Sequence, residues 1–205
     1  MRRLKLMVGL LLVATTVGAQ NQSTTDASRS VHGRSLLEGS AEQKFAPGGL
    51  IRLHLNSGGY VIRGTDTDTI VVSSDRFQRA DIRIKATGAS ADVYIEDTPH
   101  NGFQATIEIP RRSDLWVRLT AAELKVQDVE GSKDIQSNAG SVEIEVARPE
   151  EYGHADASIN AGDLNAAAFG VSKGGLFRSF HQEGKGKYRL HVHMLAGEIR
   201  LRPLI

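Results

Sequence analysis

The segment SNAGSVEIEV, residues 137–146, recurs in modified form along much of this chain and constrains its fold more than any other feature. It consists of a corner, Asn138-Ala139-Gly140, followed by six residues in which polar and apolar side chains alternate. Strict alternation places the apolar side chains on one face of a β-strand and the polar side chains on the other. The segment therefore predicts a bend followed by a strand that is buried on one side.

Three further segments show the same corner and strand, with a glycine at each bend. Glycine and asparagine tolerate the positive φ that a sharp bend between stacked strands requires. We therefore predict that one set of residues forms structural corners: Asn56, Gly58, Asn138, Gly140, Asn160, Gly162 and Gly197. The asparagine amides either stack in a ladder between successive coils or cap their own turns.

Weaker copies of the corner have alanine in place of glycine, at Ala91 and Ala122. Intervals of roughly 20 residues between corners fit one coil of a β-solenoid, and longer intervals fit coils with an inserted hairpin. Apart from the first 19 residues, sustained helical periodicity is lacking. The fold class predicted is all-β, a β-solenoid or β-helix-like stack of short strands.

The N-terminus predicts export. Arg2, Arg3 and Lys5 precede an apolar run that ends in small residues at Ala19, the pattern of a signal peptide over residues 1–19 with cleavage after Ala19. An uncleaved N-terminal anchor is the alternative. Residues 20–43 are polar and predict a mostly disordered leader, and residues 44–205 form the predicted domain. We expect the protein in the periplasm or at the cell surface.

Composition excludes several classes of protein. The chain has no cysteine, so disulfides cannot stabilise its fold and a lipid-modified thiol cannot anchor it to a membrane. Loss of the signal removes three of 25 basic residues, leaving the mature chain slightly acidic, which argues against a nucleic-acid partner. No later apolar run is long enough to span a membrane.

The repeated corner and a glycine- and aromatic-rich C-terminal run, residues 174–193, resemble the bacterial putative-adhesin family of β-strand repeat proteins. The resemblance covers roughly residues 45–201. It implies that the solenoid is right-handed and lies outside the cytoplasmic membrane. It implies no catalytic residues.

Candidate chemistry is sparse in the sequence. His191 and His193 share one strand face, but the sequence places no third ligand beside them, so we predict no metal site and no cofactor. Glu143 and Glu145 also share a face, either as a solvated row or as the carboxylate pair of a glycosidase. Nucleophile-elbow, Walker and dinucleotide motifs are missing. We predict no catalytic residues.

The function predicted is a non-enzymatic, adhesin-like binding or scaffold module of the cell envelope, with an envelope protein or glycan as partner. The predicted binding surface comprises outward residues of the repeat and a cluster in the aromatic C-terminal run: Lys125, Glu143, Glu145, Asn165, Arg178 and His181. A polysaccharide lyase or hydrolase and a purely structural envelope protein are the alternatives. Open ends of a stacked sheet also allow end-to-end self-association.

Overall fold

The computed structural model describes residues 31–32 and 39–204, and these fold into β-structure with three single-turn 3₁₀ helices. The strands are β1 Val31–His32, β2 Ser40–Lys44, β3 Leu50–Leu55, β4 Gly58–Thr65, β5 Thr69–Ser73, β6 Asp81–Thr87, β7 Ser90–Glu96, β8 Gln104–Pro110, β9 Asp114–Gln127, β10 Lys133–Val146, β11 Tyr152–Ala166, β12 Val171–Glu183 and β13 Tyr188–Pro203. The short helices are Phe77–Arg79, Pro149–Glu151 and Ala167–Phe169. The all-β prediction is confirmed.

The strands form one 13-stranded mixed sheet that bends into two layers. The five long strands lie side by side in the order β9, β10, β13, β11, β12 and run through both layers. The first layer continues from β9 through β3, β7 and β6 to β1. The second layer continues from β9 through β4, β8 and β5 to β2.

A single row of small residues marks the bend between the layers. Direct pairing aligns these residues across neighbouring strands in the order Gly58, Ala122, Gly140, Gly197, Gly162, Gly175. Gly197 has φ +131°, and a Cβ there would lie 1.9 Å from the carbonyl oxygen of Gly140. Side chains rarely adopt this conformation, and none would fit the space. The repeated glycine thus lets each bend pack directly on the next.

Alternating side chains explain why each layer has one buried face. In β3, Ile51, Leu53 and Leu55 are buried, whereas Arg52 and His54 are only partly covered. The same alternation holds along β9 and β10, and the buried side chains of both layers belong to one hydrophobic cluster. Burial of this apolar surface is the main stabilising contribution in a chain without disulfides.

The stack differs from a simple solenoid in its strand order. β13, the last strand, pairs with both β10 and β11, and the sheet leaves β12 as an edge. The strand that contains Leu195 therefore separates Asn138 from Asn160, which excludes the alternative of an amide ladder between these two residues. Ala91 is wrong as a corner, since it pairs with Ile51 within β7. Ala122 does lie in the corner row.

Described β-structure extends to the N-terminal side of Lys44, the first residue of the predicted domain. β2 starts at Ser40 and pairs antiparallel with β5, and Ala41 is buried. A strand with one buried alanine among polar residues shows little apolar periodicity, which is why the sequence suggested a polar leader up to residue 43. The predicted signal peptide and most of the leader lie outside the described residues. Within residues 31–32 and 39–204, no helix has the length and apolar character to cross a membrane.

Candidate functional site

The two layers present different outer faces. We call the outer face of the first layer the histidine face. Its central outward residues are Asp92, Tyr94, Arg52, His54, Trp116, Arg118, Asp134, Gln136, His191, His193, His154, Asp156, Ser158, His181 and Glu183. We call the outer face of the second layer the ion-pair face. Its central outward residues are Val61, Arg63, Lys125, Gln127, Glu143, Glu145, Arg200, Arg202 and Asn165.

An aromatic row crosses β7, β3 and β9 on the histidine face. The rings of Tyr94 and His54 stack with centroids 4.5 Å apart and planes inclined by 8°. Trp116 follows on the next strand, with its ring centroid 5.2 Å from that of His54. Arg118 lies over the indole at 3.9 Å and donates to Asp134 Oδ1 over 2.8 Å. These contacts fix flat rings at a half-exposed surface.

A shallow cavity of about 370 Å³ adjoins this row. Trp116 and Asp134 line one side, and His154, Asp156 and His191 line the other. The cavity spans the starts of β9, β10, β13 and β11, and it connects the aromatic row with a cluster of imidazoles and carboxylates.

That cluster lies at the β12 end of the histidine face. His154 Nδ1 is 2.8 Å from Glu183 Oε1, and His181 Nε2 is 3.2 Å from the same oxygen. The hydrogen bond from His154, reinforced by the charges of His154 and His181, lowers the pKa of Glu183. Asp156 contacts His154 Nε2 at 3.1 Å and His191 Nδ1 at 2.6 Å. The sheet therefore brings three histidines and two carboxylates together.

Sequence reasoning found only one of the three pairs from which this end of the face is built. The pairs are His154-x-Asp156, His181-x-Glu183 and His191-x-His193, each with two side chains on one face of a strand. The spacing was visible, but the pairing of β11 with β12 and β13 was not. His193 itself lies apart from the cluster, with Nδ1 2.9 Å from Ser158 Oγ.

The ion-pair face contains four of the residues predicted to bind a partner. Lys125 and Glu143 are directly opposite in register, and Arg200 separates Glu143 from Asn165. Arg202 donates to Glu143 Oε1 over 2.8 Å, and only 14% of the Glu143 side chain is exposed. Internal partners thus occupy much of the charge on this face.

Glu145 and Asn165 also have partners within the chain. Gln127 Nε2 donates to Glu145 Oε1 over 3.3 Å. Asn165 Oδ1 accepts a hydrogen bond from the backbone N–H of Ala167, the first residue of the short helix that follows β11. Both interactions stabilise local structure.

The structure separates the other two predicted binding residues. Arg178 Nε donates to the carbonyl of Gly174 within β12, whereas His181 belongs to the imidazole cluster. Phe180 is buried against Phe169, but Phe177 is 78% exposed.

A buried lysine lies beneath the histidine face, between Leu115 and Leu190 in register. Lys133 is 1% exposed, and its Nζ donates to the carbonyl of Gly131 over 3.0 Å and to Tyr152 Oη over 2.8 Å. Burial lowers the pKa of Lys133 to about 8, although nearby carboxylates partly oppose this effect. The alternation of β10 gave no sign that a lysine occupies the core face.

The chain is similar to solved structures of several bacterial proteins. A putative cell adhesion protein from Clostridium sporogenes is 14% identical, with 80% of this chain and 99% of that chain covered and a TM-score of 0.50. A putative adhesin from Parabacteroides merdae is 10% identical, with coverages of 53% and 52% and a TM-score of 0.29. A putative lipid binding protein from Parabacteroides distasonis is 10% identical, with coverages of 81% and 94% and a TM-score of 0.24.

No protein-family model matches the chain, and no curated protein matches its sequence. The name of the Clostridium sporogenes protein agrees with the family that the sequence resembles. At 14% identity, the similarity to the Clostridium sporogenes protein concerns the fold alone.

Proposed function

We propose that this protein is a non-enzymatic, adhesin-like binding module of the bacterial envelope that holds a glycan on its histidine face. The observation that carries the proposal is the aromatic row of Tyr94, His54 and Trp116 across three adjacent strands. Rings held side by side at a partly exposed surface offer apolar edges against which a sugar ring can pack, while nearby polar groups bind its hydroxyls.

The surroundings of the row favour binding. Arg118 is held by both Trp116 and Asp134, so little side-chain freedom is lost when a ligand arrives. The adjoining cavity adds Asp156, His191 and other polar side chains in reach of a ligand on Trp116. Aromatic residues fixed in this way are typical anchors of binding surfaces.

The stacked architecture suits such a module. The bent strands share one corner row, which supports our inference that they act like successive coils of a right-handed solenoid in building long, flat faces. The edge strand β12, with Leu176 and Phe177 exposed, is where end-to-end self-association would occur.

The alternative of a polysaccharide lyase or hydrolase has less support. A general acid must be able to take up and release a proton, but Arg202 and Arg200 hold Glu143. Glu145, the other member of the predicted pair, accepts a hydrogen bond from Gln127. We therefore propose that the surface binds without catalysis.

Export remains part of the proposal. The charged and apolar pattern of residues 1–19 supports secretion to the periplasm or cell surface, with a mature N-terminus at Gln20. N-terminal sequencing of the protein from the envelope fraction tests this. A chain that starts at Met1 and stays in the cytoplasm would contradict export.

The single tryptophan of the chain provides a direct test, because Trp116 is part of the aromatic row. Soluble peptidoglycan fragments and an acidic polysaccharide such as polygalacturonate are titrated into the protein while tryptophan emission is recorded. A saturable change in emission is expected. Tyr94→Ala keeps the reporter and should weaken binding about tenfold, equivalent to about 1.4 kcal/mol.

Lys125→Ala on the ion-pair face is the matched control and should bind normally. If Lys125→Ala weakens binding and Tyr94→Ala does not, the binding surface lies on the ion-pair face. If neither glycan changes the emission, glycan binding on this row is wrong. The same samples are assayed for new reducing ends and unsaturated products, and formation of either would show that the protein is an enzyme.

A further inference from the structure

The imidazole and carboxylate cluster has the geometry of a metal site. The ligand atoms of His154, His181 and Glu183 all lie within 4.8 Å of one another. This set is independent of the aromatic row, since it uses neither Tyr94 nor Trp116.

Backbone pairing explains why the three side chains converge. β11 and β12 are antiparallel, with His154 opposite Glu183 and Asp156 opposite His181. Residues two apart on a strand point the same way, and directly opposite residues have Cβ atoms about 5 Å apart. Two adjacent strands thus present four potential ligands as a compact block on one surface.

The spacing within the block is suitable for a small cation. Ligands at 2.0–2.2 Å from a tetrahedral zinc ion are roughly 3.3 Å from each other. Glu183 Oε1 lies 2.8 Å from His154 Nδ1 and 3.2 Å from His181 Nε2. Small rotations of these side chains would therefore allow all three atoms to face one ion.

Asp156 supplies the outer contact that metal-binding histidines usually have. If His154 binds a metal through Nδ1, its Nε2 donates to Asp156 Oδ1, 3.1 Å away. The other oxygen, Oδ2, lies 2.6 Å from His191 Nδ1, which holds the carboxylate in place. His154 is thus oriented by a carboxylate that is itself anchored on a third strand.

We propose that His154, His181 and Glu183 form a surface site for a divalent transition metal such as zinc, with Asp156 as the positioning residue for His154. Two imidazoles and one carboxylate favour zinc, copper or nickel over calcium or magnesium, which prefer oxygen ligands. His181 and Glu183 are 58% and 66% exposed, so the fourth coordination position faces solvent and can accept a ligand from a partner.

Isothermal titration of the untagged chain with zinc chloride tests the site, with cobalt absorption as a second readout of tetrahedral geometry. One zinc ion per chain is expected. His181→Ala and Glu183→Ala should each weaken binding at least tenfold. Asp156→Asn should weaken binding about tenfold, as loss of an orienting carboxylate usually does. Both ligand variants lie on an exposed edge strand, and circular dichroism verifies their folding.

His193→Ala is the matched control, because His193 lies on the same face but bonds to Ser158. Its zinc affinity should equal that of the unchanged protein. If zinc does not bind, or if His181→Ala and Glu183→Ala bind it as well as the control, the residues form only a hydrogen-bonded cluster. Calcium binding without zinc binding would also overturn the proposal.

Discussion

The two outer faces are made by the same strands yet differ in how their side chains are used. On the ion-pair face, charges neutralise one another, as where Arg202 binds Glu143 and Arg200 binds Glu198. On the histidine face, stacked rings and imidazoles keep exposed surface and donor atoms. The two faces of one scaffold thus differ in the side chains that they expose, with arginines and carboxylates on one and aromatic rings and imidazoles on the other.

The layers beneath the faces also differ. A large buried side chain with a polar group lies in each of them. Below the histidine face, Lys133 donates to two oxygens. Below the ion-pair face, Tyr60 is 1% exposed, and its hydroxyl has no partner among the described residues. Because an unsatisfied buried group costs free energy, loss of the Tyr60 hydroxyl should stabilise the protein, whereas loss of the Tyr152 hydroxyl, which accepts from Lys133, should destabilise it.

The largest effect is expected at the bend that both faces share. Gly197→Ala places a Cβ against the carbonyl of Gly140 at φ +131° and should lower the free energy of unfolding by about 4 kcal/mol, through steric overlap and backbone strain. Urea unfolding measures the change.

Gly170→Ala is the control for this substitution. Gly170 has φ +74°, but a Cβ there would meet nothing within 4 Å. Gly170→Ala should lower the free energy of unfolding by about 1 kcal/mol, because only backbone strain opposes it. Equal effects of Gly197→Ala and Gly170→Ala would show that close packing of the corners contributes little.

The corner was visible in the sequence because its cause is local. A positive φ at Gly140, Gly162 and Gly197 selects glycine wherever a strand bends, so the motif repeats. Alternation in segments such as Val142-Glu143-Ile144 likewise identified buried and exposed faces. The all-β class and several of the strands could therefore be predicted.

Strand order and the imidazole cluster could not be predicted in this way. The insertion of β13 between β10 and β11 depends on pairing between distant segments, which local alternation does not encode. A separate pairing, that of β11 with β12, brings His154 next to Glu183. Each half of the cluster was a two-residue pattern on its own strand, and only tertiary structure joined them.

The second largest effect should come from Lys133, whose deprotonation should make the free energy of unfolding depend on pH. Its pKa is about 8 in the folded protein and about 10.4 in an unfolded chain. Between these values the unfolded chain binds more protons, so the free energy of unfolding rises with pH. We expect an increase of roughly 2 kcal/mol from pH 7.5 to pH 9.5, measured by urea unfolding.

Lys133→Met is the matched control, since methionine has a similar shape and no charge. It should remove the rise and leave stability at pH 7.5 unchanged or higher, as replacing a buried charge often does. The window ends at pH 9.5 because tyrosines of the unfolded chain ionise near pH 10. If the free energy of unfolding of Lys133→Met rises by the same amount over this pH range, the pH dependence belongs to another titrating group.

A smaller effect should distinguish the ion pairs of the two faces. Glu143→Gln removes a mostly buried carboxylate bound by Arg202 and should cost about 1 kcal/mol at low salt and less in 1 M sodium chloride. Asp92→Asn on the histidine face removes longer contacts, 3.9 Å to Arg52 and 3.7 Å to His54, and should cost less than about 0.5 kcal/mol. If Glu143→Gln and Asp92→Asn lower the free energy of unfolding equally, and by the same amount at low and high salt, the two faces do not differ in this way.

The smallest effect should be a gain of stability. Burial raises the pKa of Tyr60, and its hydroxyl lies in an apolar layer beside Phe103. Tyr60→Phe removes a desolvated group that makes no described hydrogen bond and should raise the free energy of unfolding by roughly 0.5 kcal/mol. Tyr152→Phe removes the acceptor of Lys133 and should lower that free energy by about 1 kcal/mol. Urea unfolding at pH 7.5 compares them, and a loss of stability in Tyr60→Phe would mean that its hydroxyl is satisfied after all.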